Sequence, residues 1–328
     1  MRRWPFLSRY GAGISMLSCS VAFAQGTSDA YPSKPVTVVA AIAAGGPIDL
    51  EARPYLAKIS AMMGQSFVFD FRPGAAGTIG AGYVAKARPD GYTLLVISAG
   101  FTVFPAFYKD LTFDVVKDFA HVSLMSERTS VLQVPVSFPA KTFPDYIAYA
   151  RANPGKINYG TTGVGSITHL AGAWMHGVTN TKVTFIPYKG TGPLLQELLA
   201  ARVDVASGTL VSALPLMKTG KVRPIAILND KRSNLLPGVL TVAEQGVPGY
   251  NYSNWLGFVA PGATHLAIVN KLSEGFARVA RMPDIVSALE AEGSIAVGST
   301  PAQFRQLIVT ETARWQKVVQ DTGIKLEE

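Results

Sequence analysis

The sequence predicts an α/β protein of two lobes, each a sheet flanked by helices, joined by two crossings of the chain. Three observations predict it. Apolar β-branched runs alternate with segments of helical periodicity, the rhythm of parallel strands connected by helices. Two long apolar stretches, "HVSLMSERTSVLQVP" (121–135) and "YNYSNWLGFVAP" (250–261), interrupt that rhythm and suit passage between lobes. After the second, the chain reads as helix almost to its end. About 300 residues beyond the leader are too many for one core and comfortable for two.

Residues 1–24, "MRRWPFLSRYGAGISMLSCSVAFA", stand apart from the fold. A basic start (Arg2, Arg3, Arg9), an apolar middle and Ala22-Phe23-Ala24 read as a secretory signal peptide, with cleavage expected before Gln25. The apolar run is too short and too interrupted by Ser and Gly to span a bilayer. "RRWPFL" loosely matches a twin-arginine signal; an ordinary basic start is the simpler reading. Met16-Leu17-Ser18 makes a poor lipobox for Cys19. Cleavage removes that single cysteine, and with it any disulfide or thiolate metal site. It also removes three arginines and no acid, taking the formal charge from +8 to +5. The remaining basic residues are scattered, which argues against nucleic acid. A soluble periplasmic protein is expected.

The elements follow in order. "VTVVAAI" (36–42) is a buried strand, and apolar positions at helical spacing mark a helix over about 48–63. Pro54 in that helix is tolerable only near its first turn. "SFVFDF" is a second strand, followed by a helix ending near Ala87, and "RPDGYTLLVIS" holds a third strand. Beyond the first crossing, "PDYIAYARANPGK", "SITHLAGAWMHGV" and "GPLLQELLAAR" read as helices, and "INYG", "KVTFIPY", "VDVASG" and "VRPIAIL" as strands. Helices over about 265–280, 284–292 and 301–322 complete the chain and are suited to cover the first sheet. The boundaries expected are 31–125 plus 258–328 for one lobe and 126–257 for the other, with a ligand cleft between them. Two consecutive domains are the alternative.

Three glycine-bearing loops occupy the same place, after a strand and before a helix: "AAGGPID" (43–49), "RPGAAGTIG" (72–80) and "GTTGVGS" (160–166). Glycine lets backbone approach a ligand closely. The first amides of a helix have no partner within it, and with the helix dipole they form an anion site. Ser166, Thr161, Thr162 and Thr78 add hydroxyls. The third loop approximates GxGxxG, but Thr168 stands where the last glycine belongs. The next strand ends at Tyr188-Lys189 without the acid a ribose needs, so a dinucleotide is not expected. Enzyme motifs are absent: no HExxH, GxSxG or Walker loop. His121, His169, His176 and His265 show no metal-like clustering, Asp49 suits capping the first helix, and neither metal nor cofactor is expected.

Several segments in order, "YPSKPVTVVAAIAAGGPIDLEARPYLAKISAMMGQ", "FRPGAAGTIGAGYVAKARPDGYTLL", "INYGTTGVGSITHLAG", "IPYKGTGPLLQELLAARVD" and "TVAEQGVPGY", carry a resemblance. The chain resembles the periplasmic solute receptors of the tripartite tricarboxylate transporter family, the Bug receptors. The resemblance implies a Venus-flytrap fold, type II-like, that captures a small carboxylate solute and hands it to membrane transporter subunits; a monomer is expected. It places one carboxylate between Ile42, Ala43, Ala44, Gly45, Gly46 and Asp49 of the first loop and Gly74, Ala75, Ala76, Gly77 and Thr78 of the second. The far end of the solute would meet Thr161, Thr162, Gly165, Ser166 and His169, with Asp204 nearby. The chain departs from the family pattern at Ala41–Ala44, Phe71, Ala76 and "AGFTVFP" (99–105). Ile42, Phe71, Phe101 and Phe104 would make the cleft more apolar, which suits an aromatic or apolar carboxylate better than a citrate-like one. An exported hydrolase or oxidoreductase acting on small acids is the alternative, and its general base would have to be His169 or Asp49. Transport and sensing begin with the same binding event, and both readings stay open.

Overall fold

The computed structural model describes Met1 and residues 31–324, except 43, 45, 46 and 253. The expected signal peptide, its cleavage site and Cys19 therefore lie outside the described residues. The chain divides into a unit of residues 1–31 and a unit of residues 32–328, and the architecture that follows belongs to the second.

In chain order, β1 (Val36–Ala40) leads to α1 (Pro47–Met63), β2 (Phe67–Phe71), α2 (Thr78–Ala85), β3 (Thr93–Ser98), α3 (Phe104–Phe107) and β4 (Phe119–Arg128). Then come β5 (Ser130–Pro135), α4 (Phe143–Ala152), β6 (Asn158–Thr161), α5 (Ile167–Val178), β7 (Thr184–Pro187), α6 (Thr191–Leu199), β8 (Val205–Thr209), α7 (Leu210–Lys218) and β9 (Val222–Ile227). The chain closes with β10 (Asn254–Pro261), α8 (Leu266–Ala280), α9 (Pro283–Ala291), β11 (Ser294–Ala296) and α10 (Pro301–Thr322).

Among the described residues the strands form two sheets, ordered β11-β4-β10-β3-β1-β2 and β7-β6-β8-β5-β9. Each is parallel where strand and helix alternate: Val38 of β1 registers with Phe69 of β2 and Leu94 of β3, and β6 pairs in parallel with β7 and β8. Each turns antiparallel where the crossing segments enter it. β10 runs against both β3 and β4, and β5 runs against β8 and β9. The fold is thus two-lobed α/β with mixed sheets. The first apolar crossing stretch proves to be two strands, β4 in one sheet and β5 in the other, with Thr129 alone between them.

Buried β-branched and aromatic residues explain the sheets. Val36, Val38, Val39 and Leu94 are fully buried, as strands covered on both faces require. Two close approaches fix the helices on the first sheet. A Cβ at Gly257 of β10 would lie 2.3 Å from Phe304 of α10, and one at Gly275 of α8 would lie 3.0 Å from Ile59 of α1. α8 and α10 pack on β4 and α9 packs on β11, so the terminal helices cover the first sheet, but α10 does more. Its Phe304 and Ile308 belong to the core of the first sheet, while Trp315 and Val318 belong to the core of the second.

Three features differ from the sequence reading. Pro54 sits two turns inside α1, where it removes an N–H from the helical ladder. α7 carries Pro215 in its interior, which hides its helical pattern. The segment after β3, to which the sequence reading assigned no secondary structure, forms a 3-10 turn over Ala99–Val103 continuing into α3.

Candidate functional site

Both sheets send loops to one cavity of about 280 Å3. Ile42 and Ile48 reach it from the loop after β1 and the first turn of α1, and Gly77 and Ala81 from the start of α2. Ser98, Gly100, Phe101 and Val103 come from the end of β3 and the turn that follows, and Phe104, Phe107 and Tyr108 from α3 and the residue after it. Val164, Gly165, Ser166 and Ile167 arrive from the second sheet, between β6 and α5. No charged side chain is among these lining residues. The site lies where loops after parallel strands meet helix starts, the crevice at strand carboxyl ends that α/β sheets use for ligands.

The first two loops are built against each other. A Cβ at Gly80 would lie 2.8 Å from the Ala41 Cβ, so only glycine lets α2 close on the end of β1. Gly74 and Gly77 adopt φ of 128° and 103°, and Ala75 adopts 44° between them, a left-handed conformation that costs an alanine energy. Thr78 Oγ1 donates to the Ala75 carbonyl at 2.9 Å. The start of α2 has no side-chain cap. Asp49, fully buried in the first turn of α1, holds Arg53 one turn on, with Nε 2.7 Å from Oδ1. Its carboxylate favours the positive end of the helix and is occupied by that arginine.

The loop from the second sheet is wired internally. Ser166 caps α5 by accepting from the His169 amide at 3.3 Å. Thr168 Oγ1 accepts the Thr162 amide at 3.0 Å and lies 2.9 Å from the Thr162 hydroxyl and 3.0 Å from that of Ser166. A glycine at 168 would remove this hub, which is why the GxGxxG pattern breaks there. The Gly165 amide donates to His169 Nδ1 at 3.2 Å, so that nitrogen carries no proton. Burial accordingly lowers the His169 pKa. The other histidines are structural too. Nε2 of His176 lies 2.9 Å from the Tyr146 hydroxyl and Nδ1 lies 2.6 Å from Thr181. His265 caps α8, and His121 stands edge-on to Phe304. Among the described residues no His, Cys, Asp or Glu cluster could hold a metal.

The expected site residues are therefore distributed unevenly. Ile42, Gly77, Gly165 and Ser166 line the cavity. Ala43, Gly45 and Gly46 lie outside the described residues, and Ala44 is exposed. Gly74, Ala75 and Ala76 form the turn before α2; Gly74, Ala75 and Thr78 support Gly77 and are not among the lining residues. Thr161 and Thr162 spend their hydroxyls within their own loop, and His169 spends its ring there. Asp204 Oδ2 accepts the Asn158 amide at 2.8 Å, at the opposite end of β6 from the cavity. Phe101 and Phe104 face the cavity, whereas Phe71 packs on Phe69 at 5.2 Å beneath Arg53. The sequence reading missed Ser98 and Tyr108, whose hydroxyls bond to no described residue. The signal was present: β3 is parallel to β1, so the loop after it had to open at the same edge.

A family model described as "Tripartite tricarboxylate transporter family receptor" matches residues 52–324. Protein BugT of Bordetella pertussis is 32% identical over 321 residues, covering 96% of this chain and 97% of its own length. Among solved structures, Rpa4515 of R. palustris with adipate is 34% identical with a TM-score of 0.76, covering 90% of this chain and all of its own. MatC of Rhodopseudomonas palustris with bound malate is 32% identical with a TM-score of 0.72, covering 88% of this chain and all of its own.

Proposed function

Since the chain belongs to the tripartite tricarboxylate transporter receptor family, a family of solute-binding proteins rather than enzymes, we propose that it captures a small carboxylate of apolar or aromatic body and delivers it to a membrane transporter. One observation carries the choice of solute. The cavity has walls of Ile42, Phe101, Phe104, Phe107, Val164 and Ile167, without a charged side chain among its lining residues, at the starts of α1, α2 and α5. Helix starts stabilise one anionic group through amides and dipoles. Apolar walls exclude unpaired charges along the middle of the solute, because burying one costs several kcal/mol.

The carboxylate head would lie by Ile42 and Gly77, with Ala43, Gly45, Gly46 and Asp49 shaping the first loop and Gly74–Thr78 the second. The body of the solute would lie along Phe101 and Phe104, and Gly165 and Ser166 would close over it. Ser98 and Tyr108 offer hydroxyls to a further polar group. Adipate, present in the structure of Rpa4515, has the apolar middle such a cavity favours; malate, present in that of MatC, does not. The lobes would be bounded at the β4–β5 and β9–β10 connections, close to the sequence expectation, and would close on the solute as a monomer. Export to the periplasm with cleavage after Ala24 accords with relatives solved as periplasmic proteins. No described helix is long and apolar enough to cross a membrane.

The test is thermal unfolding of the mature protein against a panel of acids. A ligand at about 100 times its Kd adds roughly 2.7 kcal/mol. The expected result is a rise in Tm with benzoate-like or adipate-like acids and little with citrate. A larger rise with citrate or malate overturns the apolar assignment, and a rise only with solutes that lack a carboxylate overturns the carboxylate one.

A further inference from the structure

Two buried polar side chains meet where the two cores join. Phe101 packs in the first core and Val103 in the second, so Thr102 between them sits on the seam. α10 is divided in the same way, and its Glu311 lies between Ile308 of the first core and Trp315 of the second. Thr102 is fully buried and Glu311 is 3% exposed. Thr102 Oγ1 lies 3.3 Å from Glu311 Oε2, and the Trp255 indole N–H donates to the same oxygen at 2.9 Å. Thr102 Oγ1 also lies 2.7 Å from the Ala99 carbonyl. Ala99 and Thr102 are in the turn that presents Gly100, Phe101 and Val103 to the cavity.

A hydroxyl has one proton to give. With Glu311 protonated, the carboxyl donates to Thr102 and Thr102 donates to Ala99, so every group is satisfied. With Glu311 ionised, the carboxylate draws the Thr102 proton toward itself and the Ala99 carbonyl loses the hydroxyl donor, keeping only the backbone bonding of its 3-10 turn. The turn then holds its shape with one bond fewer. Burial pushes the Glu311 carboxyl up to about 7, against the Trp255 bond, Arg314 and the Thr102 bond, while Glu127 pushes the same way as burial. The charged and titratable groups facing it are thus Arg314 on its own helix, Glu127 on β4 and the buried Tyr252 hydroxyl ahead of β10. Arg314 is itself fixed, donating to the Asn251 carbonyl at 2.9 Å and lying over Trp174.

We propose that Glu311 is a positioning residue of the cavity: through Thr102 it holds the Ala99–Val103 turn in one of two hydrogen-bonded forms, chosen by whether its carboxyl carries a proton. The proposal concerns the cavity wall itself and stands whichever solute the cavity takes.

The experiment needs no ligand. Indole N–H and Val/Ile methyl signals of the isotope-labelled, dialysed protein are followed by NMR from about pH 5 to about pH 9. The expected result is one shared midpoint for the Trp255 indole and the Val103 methyls, absent in Glu311→Gln. In Thr102→Val the indole should still titrate while the Val103 response falls away. A Trp255 indole that titrates beside motionless Val103 methyls overturns the proposal, as does a Val103 titration that persists in either variant. Should Glu311→Gln fail to fold, the wild type and Thr102→Val decide the matter, since a merely structural carboxyl would give Val103 no Thr102-dependent pH profile.

Discussion

The two walls of the cavity are held by different forces. On the first-sheet side Phe101, Phe104, Phe113 and Phe119 form a ring cluster, with Phe101 edge-on to Phe119 at 5.2 Å and edge-on to Phe104 at 5.7 Å. On the second-sheet side the loop before α5 is held by hydrogen bonds that converge on Thr168. The first wall gets its shape from side chains distant in sequence, the second from neighbours within a few residues. A wall packed by rings is selective through volume. A wall wired by hydrogen bonds keeps its amides in place but has few left to give a ligand.

The comparison can be broken most forcefully on the packed side. Phe101→Ala should lower stability by about 3–5 kcal/mol, read from urea denaturation, and should reduce discrimination by solute bulk in the same thermal panel. A cost below about 1 kcal/mol would mean that the ring cluster does not hold that wall. On the wired side, Thr168→Val leaves the Thr162 amide without its acceptor and should cost about 1–3 kcal/mol. The change should show as faster amide exchange at 162–169 rather than as altered solute selectivity. Gly80→Ala sharpens the contrast at the junction of the first two loops. Its Cβ meets Ala41 at 2.8 Å, so overpacking of about 1–3 kcal/mol is expected, with weakened solute binding because α2 must retreat. Ser166→Ala removes a cap and should cost about 1 kcal/mol.

The smallest effects, at any one pH, separate the walls by sign. Burial pulls His176 on α5 down to about 3 from 6.5 and lowers His169 as well. A base whose folded pKa is depressed contributes its stability in full above pH 6.5 and loses it as pH falls toward the folded value. Glu311 is the reverse: its contribution is complete below 4.5 and is lost as pH rises through about 7. Acid should therefore loosen α5 first and alkali the Ala99–Val103 turn first, which hydrogen exchange at the two segments can read. Loosening of both at the same end of the pH range would show that the walls do not titrate separately.

Local signals made much of this legible. The β-branched runs, the turn glycines and Ser166 ahead of α5 are all readable within a few residues, and the ordered motifs carried the family. What escaped needed distant partners. Pro215 conceals α7, because interior proline argues against helix unless tertiary packing compensates. Thr168 looked like a defect in a glycine motif, since its three hydrogen bonds, to Thr162 and Ser166, are visible only once the loop folds back. Phe71 and Phe101 are the same residue type, but Phe71 closes β2 and packs on Phe69 beneath Arg53, whereas Phe101 lies in the turn beyond β3 and faces the cavity. Asp204 stands beside the right strand but at its wrong end, a distinction that strand direction alone decides.

The last helix has a consequence for how the protein is made. Trp315 and Val318 complete one core, and Phe304 and Ile308 the other. The first sheet also waits for β10 and β11. A nascent chain thus has neither core closed until α10 has been synthesised. Neither lobe should gain protease protection ahead of its partner, and a chain stopped before α10 should be degraded whole rather than leave a stable fragment.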